Sequence, residues 1–240
     1  MSSQSSGAKA SGRPLRLSLL IFALATLGAF YLASTSEVFL VNLGIEKGVV
    51  DSILNFATHS IFILGGILMI RASGVSLPKF KFLPRTKGNN YLRLFVTIAV
   101  IFSVIASVTN LVPPVTRLSM SPLSWALTFL FQALFVGWSE EFLFRGALQD
   151  ILNNRFSNGR RIIRMRQGTF IASVIFGIVH LGNAFLGLSI TSAVEDSAFA
   201  LVFAFVVGWY YDKTLDLAGA AWIHNATDGF STLVTFLLSV

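Results

Sequence analysis

Glu140 and Glu141 stand side by side inside a long apolar stretch, with Arg145 four residues further on. Two other apolar stretches carry His180, and His224 with Asp228. A carboxylate and a histidine together can deprotonate a water, giving a nucleophile where water is otherwise excluded. A second histidine with a hydrogen-bonding partner can steady an oxyanion. Alternatively Glu140, His180 and His224 hold a divalent metal such as zinc, and the other glutamate serves as base. Both arrangements suit hydrolysis of a peptide bond, and the residue types leave the choice open. Other routes are closed. The chain has no cysteine, hence no thiolate chemistry or disulfide, and it has neither a G-x-S-x-G elbow nor an H-E-x-x-H zinc helix.

The elements that must position these groups follow from composition. Of 240 residues, 54% are hydrophobic and only 12% are charged, against about a quarter charged in soluble domains. So little charge cannot cover a water-facing surface of this size. The expectation is an all-α, polytopic transmembrane bundle of seven spans, or eight. The apolar stretches are roughly 17–33, 49–70, 94–111, 123–143, 169–188, 198–211 and 217–240. The sixth is short unless it reaches back through Val194, and the fourth can continue as helix through Ile151. Pro113–Pro114 breaks the chain before the fourth, and Asn158–Gly159 marks the loop after it. Residues 1–15 read as a disordered cytoplasmic tail. Residues 16–240 read as one integral membrane domain, with the chemistry confined to about 122–240.

Charge orients the bundle. Arg13 and Arg16 precede the first stretch, Arg71 to Arg93 follow the second, and Arg155 to Arg166 follow the fourth. The intervening connections carry mainly acids: Glu37 and Glu46 with Lys47, then Glu195 and Asp196. By the positive-inside rule the N-terminus is cytoplasmic, and seven spans put the C-terminus outside. The net charge of +7 thus reflects topology and contact with anionic lipid headgroups, and nucleic acid is not an expected partner.

Charge inside the hydrocarbon region costs about 2.5–3.5 kcal/mol per residue on insertion scales and is usually kept for function. Glu140 lies about a dozen residues before the basic loop, His180 about a dozen after it, and His224 about a dozen after Asp212 and Lys213. At about 1.5 Å per helical residue, three helices therefore bring these groups to one depth, roughly 15–20 Å from their cytoplasmic ends. Glu141 and Arg145 share a helix face and can pair, which leaves Glu140 turned toward a cavity. His224 and Asp228 share a face in the same way. Phe176 lies one turn before His180 and can pack on it. His59, in the second stretch, reads as a helix-to-helix hydrogen-bond donor.

These residues resemble the signatures of a known family. Glu140-Glu141-Phe142-Leu143-Phe144-Arg145-Gly146 resembles the E-E-x-x-x-R signature of the CPBP family, also called the CAAX prenyl protease 2 or Abi family. Phe176 to His180 is similar to its F-x-x-x-H element, and His224 to Asp228 to its final H-x-x-x-[ND] element. The resemblance implies an intramembrane endopeptidase acting on membrane-associated peptides or protein C-terminal tails, prenylated tails being the family's best-known substrates. It further implies that Glu140 and His180 activate water, that His224 and Asp228 stabilise the oxyanion, and that Glu141, Arg145 and Phe176 support the site. Such a site, serving protein tails, would open toward the cytoplasmic side. Asp228 departs from the commoner asparagine and must be protonated, bonded to His224, or a metal ligand. The family is often labelled metalloprotease, although the same residues permit a metal-free glutamate mechanism. A different reading keeps the fold without proteolysis, as an immunity or scaffolding protein whose polar cluster is structural.

Overall fold

The computed structural model describes residues 13–75, 93, 96, 97, 100, 101 and 121–239. Among them the chain is all helix, turn and loop, with a single isolated bridge between Ile162 and Met165. Helix α1 (Arg13–Asn42) and α2 (Lys47–Ser73) form an antiparallel hairpin. A long, internally irregular helix follows, built from α3 (Pro122–Leu134), α4 (Val136–Glu141), a π-helical segment (Phe142–Gln149) and α5 (Asp150–Arg155). Next come α6 (Gln167–His180) with a 3₁₀ extension (Leu181–Leu186), then α7 (Ile190–Thr214) and α8 (Leu217–Ser239).

Local signals set several ends. Ser121 accepts from the Ser124 amide and is followed by Pro122, the arrangement of a capped start with proline in the first turn. Ser189 caps α7 in the same way, and Gly74 closes α2 in the left-handed region (φ 70°). Beside the first cap, Ser121 N–H and Ser124 Oγ both donate to Glu46 at 2.9 and 2.7 Å. The hydrogen bonds from Ser121 hold the Glu46 carboxyl below its usual range, which fixes the loop before α2 to the start of α3.

Among the described residues, five helical units are long and apolar enough to cross a bilayer: Pro14–Asn42, Lys47–Ser73, Pro122–Arg155, Gln167–Leu186 and Ile190–Thr214. The fourth expected stretch does continue past Ile151, and the sixth does reach back beyond Val194. The expected tail up to residue 12, most of the third stretch and Pro113–Pro114 lie outside the described residues. The seventh stretch forms α8 but is not among the five. Its middle carries His224, Asn225, Thr227, Asp228 and Thr232, and most of that polar face is buried against the bundle.

The long helix is interrupted where it matters. Phe135 leaves helical geometry (φ −119°, ψ −42°). The Gly137 N–H then bonds to Asn225 Oδ1 of α8 at 2.7 Å. A Cβ at Gly137 would fall 2.5 Å from Ala221 O and 2.9 Å from His224 Cβ, so only glycine lets α8 lie this close to the two glutamates. Gly66 does the same for α2, where an added Cβ would meet the Phe142 ring at 2.8 Å. Gly137→Ala should therefore destabilise the protein by about 1–3 kcal/mol, the range for overpacking, despite the better helix propensity of alanine. Thermal unfolding in detergent measures this as a lower Tm.

Candidate active site

Glu140 and Glu141 are both buried, at 9% and 0% exposure, and they point to different partners. Glu141 Oε2 lies 2.9 Å from Arg145 Nε, and its Oε1 lies 2.8 Å from His224 Nδ1. Arg145 is 1% exposed. Its Nη2 donates to Ala204 O at 3.4 Å, and its guanidinium carbon sits 4.5 Å above the Phe176 ring. A desolvated cation over an aromatic face is worth about 2 kcal/mol. Glu141 is thus paired with Arg145 as the spacing predicts, and it also orients His224, which the spacing does not reveal.

Glu140 Oε1 is held by His59 Nε2 at 3.1 Å. His59 Nδ1 in turn lies 2.8 Å from Asn55 O, a carbonyl that can only accept, so Nδ1 carries a proton. One further proton must then sit between Nε2 and Oε1 for that contact to be a hydrogen bond. Glu140 Oε2 is buried with no hydrogen-bond partner among the described residues, and it stands 3.8 Å from His224 Nε2. His59 packs edge-on against Phe131 (4.7 Å between ring centroids).

His180 directs Nδ1 to Phe176 O at 2.9 Å, which leaves Nε2 as the acceptor in the neutral ring. Its ring packs on Phe176 at 4.5 Å. His224 faces carboxylates with both nitrogens, since Nε2 is 3.3 Å from Asp228 Oδ2. Phe203 closes over its ring at 4.8 Å. Phe176, buried among Phe144, Arg145, His180 and His224, is the apolar hub joining all three motifs.

These groups share one cavity of about 320 Å³, lined by His59, Glu140, His180, Asp196, His224 and Asp228 together with aromatic side chains. The structure brings Glu140, His180, His224 and Asp228 to this one space, with Glu141 and Arg145 packed behind it. His180 reaches the cavity wall, while the histidine in contact with Glu140 is His59. A signal for His59 was present: it lies twelve residues before Arg71, the same depth that singled out the other three. Among the described residues no group of three or more His, Asp or Glu side chains is placed to hold a metal ion. His224 Nδ1 is taken by Glu141, which leaves Nε2 as the nitrogen facing Glu140 and Asp228.

The Glu141–Arg145 pair gives a stability test. Removing one partner of a buried pair costs about 3–5 kcal/mol because the other charge is left uncompensated. Arg145→Met should therefore lower the unfolding midpoint sharply, and Glu141→Gln in the same chain should restore part of the loss. Equal midpoints for the single and double variants would show that Glu141 draws its support elsewhere.

Residues 122–230 match the family model described as type II CAAX prenyl endopeptidase Rce1-like, a stretch that contains all three motifs. No curated protein and no solved structure matches the chain significantly.

Proposed function

We propose that this chain, a member of the CPBP family by its Rce1-like stretch, is an intramembrane endopeptidase that cuts membrane-associated peptides or protein tails. In this reading it is an integral membrane protein of seven spans with its N-terminus in the cytoplasm, as the loop charges predict. The observation that carries the proposal is the single cavity into which four helices bring Glu140, His59, His180, His224 and Asp228.

The chemistry follows from these contacts. His59 holds Glu140 Oε1, so the second oxygen is aimed as a base at a water in the cavity. That oxygen and His224 Nε2 are 3.8 Å apart, a gap that one water bridges. The water gives a proton to Glu140, with His180 Nε2 as the second acceptor, and its oxygen attacks the scissile carbonyl carbon. The carbonyl oxygen becomes an oxyanion and takes a hydrogen bond from His224. Collapse of this intermediate breaks the C–N bond, and the proton held by the Glu140 and His180 pair passes to the leaving amine. Asp228 sits 3.3 Å from His224 Nε2. Its part is to keep that nitrogen protonated and oriented, which reconciles an acid with an oxyanion site. Glu141 fixes the opposite edge of the ring.

Two measurements test this reading. Glu140→Gln and His180→Ala should each lower turnover by about 10²–10⁴-fold, the usual weight of general acid–base groups, with unchanged unfolding midpoints in detergent. Full residual cleavage by both variants would sink the peptidase and favour a structural polar core. His59→Phe, which keeps the packing on Phe131, should lower kcat by about 10–100-fold, as loss of an orienting hydrogen bond does, and leave KM nearly unchanged. An unaltered kcat would remove His59 from the site.

A further inference from the structure

The connection between α5 and α6 carries a turn that its sequence does not favour. Ile162 N–H donates to Met165 O at 3.0 Å, and Met165 N–H donates to Ile162 O at 2.9 Å, which closes a two-residue hairpin. Its central residues, Ile163 (φ 48°) and Arg164 (φ 65°), both stand in the left-handed region. Hairpin turns with positive φ at both central positions ordinarily use Asn-Gly or Asp-Gly, and a β-branched residue there is a marked outlier. The base of the turn is nonetheless fixed. Met165 is buried, and Arg166 is bound to Asp212 through its backbone N–H, at 3.2 Å, and through its Nε. Ile163, by contrast, is 73% exposed. A strained backbone thus presents an isoleucine in the open, where burial within the bundle returns nothing for the strain.

Charge surrounds this tip. Arg155, Arg160, Arg161 and Arg164 are all exposed, and among the described residues none of them has an ion-pair partner. The acids of the adjoining helix ends are engaged elsewhere: Asp212 by Arg166, Asp150 by Tyr211 at 2.8 Å and Asp216 by Tyr210 at 3.1 Å. The turn also has a fixed setting. It joins Pro122–Arg155 to Gln167–Leu186, two helical units long and apolar enough to cross a bilayer, so it lies at a membrane surface. We propose that the Ile163–Arg164 turn, with Arg155, Arg160 and Arg161, binds anionic phospholipid headgroups of the leaflet it faces. The guanidinium groups take the phosphates in paired hydrogen bonds, and Ile163 enters the boundary between headgroups and acyl chains. Free phosphate would use the arginines but not the apolar tip, so a bilayer lipid is the better fit. The general attraction expected of basic loops is thereby narrowed to one built turn. It does not depend on what the protein cleaves.

The chain has no native cysteine, so an Ile163→Cys variant takes a single apolar, environment-sensitive fluorophore at the tip. The full chain is reconstituted in nanodiscs of phosphatidylcholine alone, or of phosphatidylcholine and phosphatidylglycerol in equal parts. A quencher carried on the upper acyl chain should quench the probe more strongly when phosphatidylglycerol is present. That gain should vanish when Arg160→Gln, Arg161→Gln and Arg164→Gln are combined, and it should shrink in molar salt. Equal quenching in both lipids, or a gain that survives the triple substitution, would overturn the proposal. Native mass spectrometry of the detergent-purified chain, with Ile163 in place, counts retained phosphatidylglycerol as a second readout. Affinity should fall about 5-fold for each arginine removed, and excess inorganic phosphate should leave the lipid bound. Displacement by inorganic phosphate would make this a free-anion site and overturn the lipid assignment. Ile163→Asn separates the tip from the fold, since asparagine accepts the left-handed region. It should raise the unfolding midpoint while weakening lipid retention. A raised midpoint with retention unchanged would remove Ile163 from the site.

Discussion

A fully buried carboxylate, Glu141, is the constraint around which the rest of the structure is arranged. An apolar interior tolerates a carboxylate only with close partners, and this one has two: Arg145 one turn away and His224 from another helix. Each partner recruits further structure. Arg145 needs the Ala204 carbonyl and the Phe176 ring, so α6 and α7 must pack against the π-helical segment. His224 must approach within hydrogen-bond distance, so α8 must pass close over α4, and Gly137 makes that passage sterically open. The glutamate that does no proposed chemistry therefore assembles the helices that do.

The irregularity of the long helix is part of the same solution. A regular α-helix through 122–155 would leave no amide free for Asn225. The departure at Phe135 frees the Gly137 N–H, and Asn225 takes it. The π-helical segment begins directly after Glu141, widening the helix where Phe142, Phe144 and Arg145 must reach three different neighbours. Such segments recur at functional sites because an extra residue per turn re-aims side chains without ending the helix. The cost in backbone regularity is offset by buried aromatic contacts, Phe22 with Phe144 and Phe144 with Phe176.

Much of this was legible before any coordinates. Long apolar runs dictate helices in a bilayer, because every backbone group must be satisfied within its own segment. Counting residues from the basic loop and from the Asp212–Lys213 turn put Glu140, His180 and His224 at one level, and the i to i+4 spacing paired Glu141 with Arg145. What stayed hidden depends on the azimuth of one helix about another, which spacing within a helix cannot supply. His59 sits at the right depth, yet nothing in its own segment says that its ring faces Glu140 rather than lipid. Asn225 reads as an ordinary polar neighbour of His224 until the break at Phe135 gives it an amide to cap.

The unequal packing of the two halves follows from what each must do. On the side of the basic residues large aliphatic side chains, Met69, Ile70, Leu148, Ile151 and Leu152, are buried in one apolar cluster. The cavity is lined by small or polar side chains, among them Ala29, Ala33, Asn55, Thr58, Ser231 and Thr235, together with aromatic ones such as Phe30, Phe131 and Phe203. Dispersion and apolar burial thus concentrate on one side of Glu140, where they hold the helices rigidly. Polar groups such as Asn55, Thr58, His180 and Asp228 line the cavity on the other. The ionic cluster sits at the boundary between these halves. It is anchored by the packed end and open to the polar one, so charges too costly for the bilayer are held still beside a space that admits water.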